Sequence, residues 1–423
     1  MQFDAHYQFD VSVDGTGRAS VVERLTATNT TSTGIDHLDL FVLPNFDAPG
    51  FREFELASIR VDGRAVETRG TQDGANLRVE LRRALQPGRT ARLVVLFSLR
   101  PATPAQGDGD LAAALSRRSG MVQFLLWYPM LSDGHGVSVD SDGGSATPAS
   151  PIDYAIRTDA PATFAVPGTV TRRTEREVRG TLAHARDFAF AVGRGIRTWS
   201  GHARSGVAVT VYGPAKAPGA TTLALAIGAV DRFEALLRTP YPAADLVVVA
   251  GSTNMESSGI VFVDRNHVED PYTVAHEVAH QWFHWLVGND QLREPWLDEA
   301  FATYLAGGLV PRHEDGFCSD LPVNEPVWRF ENVDPRITWQ RCDDYMQTVY
   351  YKGSWLLHAV RAAMGDGAFI DSLEDYLARY RFGVATTADL VGIWRTHSAA
   401  VTDELLCRWL DLRPRSAGPR RPV

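Results

Sequence analysis

Apolar and polar residues alternate with a period of two through most of the first 200 residues. The pattern is clear in "YQFDVSVD", "ASVVERLTATNT", "FELASIRVDGRAVE", "ANLRVELRRAL", "TARLVVLFSLR" and "FAFAVGRGIRTWS". Successive side chains of a strand point to opposite faces, so this spacing gives each segment one apolar face. Turn-forming pairs separate the segments: Asp14-Gly15, Asp62-Gly63, Asp73-Gly74 and Pro87-Gly88. The pattern predicts an all-β domain over residues 1–203. The stretch from Leu131 to Pro151, rich in Gly, Ser and Asp, reads as a loop.

Near residue 205 the period changes. "VAVTVYGP" reads as a strand, "TTLALAIGAVDRFEALLRTPYP" as a helix stopped by prolines, and "DLVVVAG" and "GIVFVD" as short buried strands. Helical segments follow at 272–287, 296–309, 344–364, 370–380, 388–397 and 402–411. The fold class expected is a multi-domain α and β protein. Its β-rich first domain is followed by a mainly helical second domain over 204–412 and a basic, Pro-rich tail over 413–423 that is expected to be disordered.

The 423-residue length suits two or three domains. Forty-two Lys and Arg against 51 Asp and Glu give a net charge of −9, which argues against a nucleic-acid surface. No 18-residue window is apolar throughout, so no membrane-spanning helix is expected. Met1 opens directly into strand-like sequence with no leader pattern. The expectation is a cytoplasmic location if Met1 is the native start, or secretion if a signal preceded it. Of the three cysteines, none forms a CxxC pair. Cys318 and Cys342 flank an irregular stretch and would pair in an oxidising compartment, or stay free thiols in a reducing one.

Candidate chemistry concentrates in "TVAHEVAHQWFHWLVGNDQLREPWLDEAFATY", residues 273–304. His276 and His280 bracket an HExxH motif; on a helix, residues four apart share a face and reach one ion, with Glu277 beside them. His284 would lie about 12 Å from His276 along a continued helix, too far for bonds of about 2 Å, so a surface or core role is expected of it. Phe283 and Leu286 stand where a metzincin needs Gly and His. A carboxylate remains for the third ligand. Glu299 follows His280 after eighteen residues, on a helix that starts after Pro295. Two His and one Glu leave the fourth position of one zinc ion open to water, the catalytic arrangement. Zinc would acidify that water and polarise a carbonyl, and Glu277 is placed to take the proton.

HExxH, eighteen residues and Glu, with the flanks "HEVAHQWF" and "WLDEAFATY", resemble the M1 aminopeptidases of the gluzincin clan. The resemblance covers most of the chain. It implies a saddle-like β domain, then a thermolysin-like zinc metallopeptidase domain that ends as in compact bacterial members, without a large C-terminal helical domain. The motif G-x-M-E-N falls on "GSTNMESSGIVFVD", with Asn254 and Ser257 as departures. By resemblance, Glu256 binds the substrate's α-amine, with Met255 and Asn254 beside it. That amine has a pKa near 7.7–8 and is largely cationic at neutral pH. The motif Y-x-K-G falls on "TVYYKGSWLLHAV" and makes Tyr350 the hydrogen-bond donor to the oxyanion, with Tyr351 as packing. Ala306 stands where the family often has an acidic residue supporting a zinc histidine, so that support is either lost or supplied by Asp298.

The function expected is removal of N-terminal residues from peptides by a monomeric zinc enzyme that binds neither nucleic acid nor membrane. The alternatives are a narrow processing endopeptidase or an idle binding module. An idle form should have lost a ligand, the base or the tyrosine, whereas His276, Glu277, His280, Glu299 and Tyr350 are all present.

Overall fold

A computed structural model describes residues 3–46, 53–70, 74–104, 110–132, 149–311, 321–327 and 345–412. Cys318, Cys342, most of the 131–151 loop and the 413–423 tail lie outside the described residues. Among the described residues the free thiol is the exposed Cys407.

Strand Phe3–Val13 shows why the period-two reading works: Phe3, Ala5, Tyr7, Phe9, Val11 and Val13 are all buried, and the residues between them are exposed or half-buried. The hairpin to Ala19–Asn29 turns at Asp14, whose Oδ1 accepts from the backbone N–H groups of Thr16 and Arg18 at 2.8 and 3.1 Å. Gly17 closes this turn at φ +86°, which costs glycine little. These strands form the middle of an eight-stranded sheet, antiparallel except where Phe3–Val13 runs parallel to Ser150–Thr158. Two four-stranded sheets accompany it. Phe9, Trp127, Tyr128, Phe188 and Phe190 pack edge and face at the centre, and the Trp127 indole N–H donates to the Phe188 carbonyl at 2.7 Å.

A fourth, separate sheet of five strands orders them Ile196–His202, Ala208–Pro214, Asp245–Gly251, Ile260–Asp264 and Met255–Ser257. Ile196–His202 pairs along its whole length with Ala208–Pro214. Sheet membership therefore changes at residues 194–195, ahead of the expected boundary at 203–204. Backbone pairing decides this, and alternation within one strand carries no sign of which sheet it joins. Three strands of this sheet are parallel, and helix Gly219–Leu237 makes the crossover between two of them. Met255–Ser257 folds back antiparallel as an edge strand, which puts Glu256 opposite Val261.

The helices follow in the expected order: Pro271–Ala279, Trp296–Ala306, Gly353–Met364, Asp366–Arg379, Thr387–His397 and the short Asp403–Leu406. A hydrophobic cluster runs through both halves of the molecule. No helix among the described residues is long and apolar enough to cross a membrane.

Candidate metal centre

Helix Pro271–Ala279 opens on Asp270, whose side chain accepts from Tyr272 and Thr273 N–H, each at 3.2 Å. Pro271 fills the first position, where an N–H has no helical partner. The helix stops at Ala279, far short of residue 287. Beyond it, longer backbone bonds take over: Trp285, Leu286 and Val287 N–H donate to the carbonyls of His280, Gln281 and Trp282 at 3.0, 3.2 and 3.1 Å. Trp282, Phe283, Trp285, Leu286 and Val287 are all buried. A run buried on every side carries no period, so its composition does not fix the winding of the backbone.

His276, His280 and Glu299 converge. His276 Nε2 lies 3.1 Å from Glu299 Oε2, His280 Nε2 lies 3.5 Å from the same oxygen, and the two Nε2 atoms are 3.2 Å apart. Ligands about 2 Å from a tetrahedral zinc ion stand about 3.3 Å from one another, so these separations suit that metal. The donor chemistry agrees. His280 Nδ1 is 3.1 Å from the Phe283 carbonyl oxygen, which only accepts, so Nδ1 carries the proton and Nε2 presents its lone pair to the cluster. Phe283 O thus supports this histidine. Asp298 does not: its Oδ1 accepts from Glu299 N–H at 2.8 Å and its Oδ2 from Gln291 Nε2 at 2.6 Å. His276 Nδ1, also buried, has no hydrogen-bond partner among the described residues.

Glu299 lies in the first turn of Trp296–Ala306, where the helix dipole favours negative charge. Burial opposes its ionisation, but His280 and His276 outweigh burial and hold its pKa below the usual carboxylate range. Burial also disfavours charge on both rings. On His280 it is overcome by Glu256 and Glu299, which hold its pKa well above the ordinary value, whereas His276 stays below its ordinary value. The cluster therefore favours a positive charge among its rings and carboxylates, a setting that suits a bound cation.

The remaining residues surround this cluster. Glu277 is buried, and its carboxylate lies within 4.8 Å of Glu256 and the His280 ring nitrogen. Tyr350 sits in the π-helical turn Met346–Lys352 and stacks on His276, with ring centroids 5.9 Å apart and planes at 9°. The neighbours of Glu256 point elsewhere. Met255 joins the hydrophobic core, and Asn254 is engaged with His267 Nδ1 at 3.1 Å and Asp264 N–H at 3.0 Å. Two further polar residues adjoin Glu256, and a third stands behind one of them. His284 Nδ1 lies 3.4 Å from Glu256 Oε1, Gln291 Nε2 donates to the same oxygen at 3.2 Å, and Asp187 lies 3.8 Å from the other side of His284. His284 accords with a core role and was not expected to meet a site residue. Gln291 and Asp187 carry no motif that could have flagged them.

Residues 222–409 match the peptidase family M1 domain. Over 240 residues the chain is 28% identical to the rat thyrotropin-releasing hormone-degrading ectoenzyme, a match covering 47% of this chain and 22% of that protein. It is 28% identical over 267 residues to aminopeptidase N of Lactobacillus delbrueckii subsp. lactis, covering 53% of this chain and 30% of that enzyme. The chain thus spans less than a third of the length of these curated relatives. An M1 zinc metallopeptidase from Deinococcus radiodurans superposes with a TM-score of 0.69 at 20% identity, over 100% of this chain and 96% of that one. A mutant of that protein bound to a Tyr-Ser-Ala substrate gives 0.68 at 21% identity, over 100% and 97%. Residues 222–409 thus match the peptidase family M1 domain, and the chain shares the two-domain fold of an M1 zinc metallopeptidase.

Proposed function

We propose that the protein is a zinc aminopeptidase, with a β-rich domain up to about residue 195 and a catalytic domain after it. The observation that carries this reading is the meeting of two acidic groups with one histidine: Glu256, Glu277 and His280 lie within 4.8 Å of one another, and His280 also joins His276 and Glu299. A carboxylate fixed beside a metal cluster binds an α-ammonium and brings the first peptide bond over the reacting centre.

His276, His280 and Glu299 hold the ion, one per chain. Zinc bound there supplies Lewis-acid polarisation of a peptide carbonyl and acidification of a water. The Glu277 carboxylate takes the proton from the attacking water and passes it to the leaving amine. The Tyr350 hydroxyl, on the ring stacked over His276, donates to the oxygen on which negative charge develops. Glu256 pairs with the substrate's free amino group. Met255 and Asn254 serve this site through the backbone of the edge strand, since their side chains are turned to the core and to the adjoining loop. The substrates on this reading are peptides with a free N-terminus.

The test is one peptide offered with a free and with an acetylated amine, products read by mass spectrometry over time, with and without a chelator. Stepwise loss of single N-terminal residues from the free form, abolished by the chelator, is the expected result. Internal cleavage of the acetylated form at a comparable rate would favour a processing endopeptidase.

A further inference from the structure

His284 has a backbone conformation that few side chains tolerate. Its φ is +149°, and it is a buried, non-glycine residue. Such a conformation persists only where the surroundings over-determine it. The surroundings of this ring are two acids on opposite nitrogens. Nδ1 faces Glu256 Oε1 at 3.4 Å, and Nε2 faces Asp187 Oδ2 at 3.8 Å. Both are ion-pair distances: Nε2 makes no hydrogen bond among the described residues, and Nδ1 also lies 3.4 Å from Gln291 Nε2, so a protonated ring would act here as a charge between two acids. Burial works against the charge, but Asp187 and Glu256 outweigh it and hold the pKa of His284 above its ordinary value.

The acids are themselves tied together. Asp187, from the β-rich half, accepts from the Ser258 N–H at 2.9 Å and from its hydroxyl at 2.8 Å. Ser258 is two residues beyond Glu256, so the chain closes a ring through Asp187, Ser258, the edge strand, Glu256 and His284. Gln291 braces it, donating to Glu256 at 3.2 Å and Asp298 at 2.6 Å. Glu256, His284 and Asp298 lie close enough to share a cation, but the Gln291 amide, with both hydrogens committed, fills the place between them.

We infer that His284, backed by Asp187, is a positioning residue that fixes the Glu256 carboxylate and thereby sets selectivity for a free amino terminus. The physical need is plain. Glu256 is buried on a three-residue edge strand within reach of Glu277. Repulsion between the two carboxylates would turn it aside unless a positive group faces it from another direction. The inference rests on the proposed role of Glu256 as the amine's partner.

His284→Gly removes the ring and suits the local φ, while His284→Gln keeps most of the buried volume, so a urea melt of both variants separates a folding defect from the effect tested. The readout is kcat/KM for a tripeptide with a free amine over that for its N-acetyl form, together with zinc content. Expected is a loss of this ratio on the order of 10- to 100-fold, through KM more than kcat, with zinc unchanged. His284→Gln should recover part of it, and Asp187→Asn should show a smaller loss of the same sign. In a Glu256→Ala background, His284→Gly should add nothing. An unchanged ratio in His284→Gly would overturn the inference, as would an equal loss in both backgrounds, which marks a purely structural role. A wild-type protein with no preference for the free amine overturns the reading of Glu256 itself, and the inference with it.

Discussion

The molecule buries carboxylates in two settings. In the β-rich half, Glu23 faces inward among aromatic residues, and neither of its carboxyl oxygens has a hydrogen-bond partner among the described residues. Burial alone pushes its pKa well above the ordinary value. Glu53, nearby in sequence, is pushed by burial up to about 8, although Ala102 N–H donates to it. At the candidate site, Glu299 of the helical half and Asp187, which the β-rich half sends to it, are also buried, yet imidazoles and N–H groups hold both below the usual range. Burial therefore does not mark a functional acid. What distinguishes the candidate site is convergence: acids and histidines face one another at 3–4 Å, and the histidines keep Glu299 ionised while burial and Glu299 push its neighbour Asp298 up to about 7.

Removing the base tests the comparison most severely. Glu277→Gln should retain zinc and lower kcat by about 10²–10⁴-fold, because an amide cannot accept the water's proton. Its counterpart, His280→Ala, should lose the metal, which elemental analysis of the purified protein would reveal. Full occupancy in that variant would remove His280 from the ligand set.

Glu256→Ala should cost about 10²–10³-fold in kcat/KM on free-amine peptides and hardly alter the poor rate on acetylated ones. An equal loss on both forms would mean that Glu256 does not read the amine. Tyr350→Phe comes next, with kcat about 10- to 10³-fold lower and KM little changed. Should Tyr351→Phe show the larger effect, the stacking of Tyr350 on His276 has no catalytic meaning.

The smallest effect lies in the β-rich half and concerns stability alone. The folded pKa of Glu23 is raised, so its contribution is full below the unfolded value near 4.3 and is lost as pH rises toward the folded one. The slope is at most about 1.4 kcal/mol per pH unit. Glu23→Gln should therefore show a urea midpoint that falls less than wild type's between pH 5 and pH 8, with kcat unchanged. A parallel fall in both proteins would mean that Glu23 is ionised in the fold, and the contrast between the two settings would collapse.

Much of this architecture was legible in advance. Alternation gave the strands because a pleated sheet with one buried face imposes a period of two, as Phe3–Val13 shows. The same reasoning failed at residues 280–287, where a buried run that also holds His280, Gln281 and His284 was read as helix. A run buried on every side has no period, and the backbone was free to wind differently. It also missed that Ile196–His202 joins the second sheet.

The candidate metal cluster was readable from spacing alone, because HExxH puts two imidazoles on one helical face and a returning helix supplies Glu299 within bonding range of both. The surroundings of Glu256 were decided by tertiary structure. Asp187, Glu256, His284 and Gln291 come from a loop between sheets, an edge strand, a turn at positive φ and a second loop. No local period links such positions. Their meeting depends on how the two halves pack, and the charges they hold depend on the water that this packing excludes.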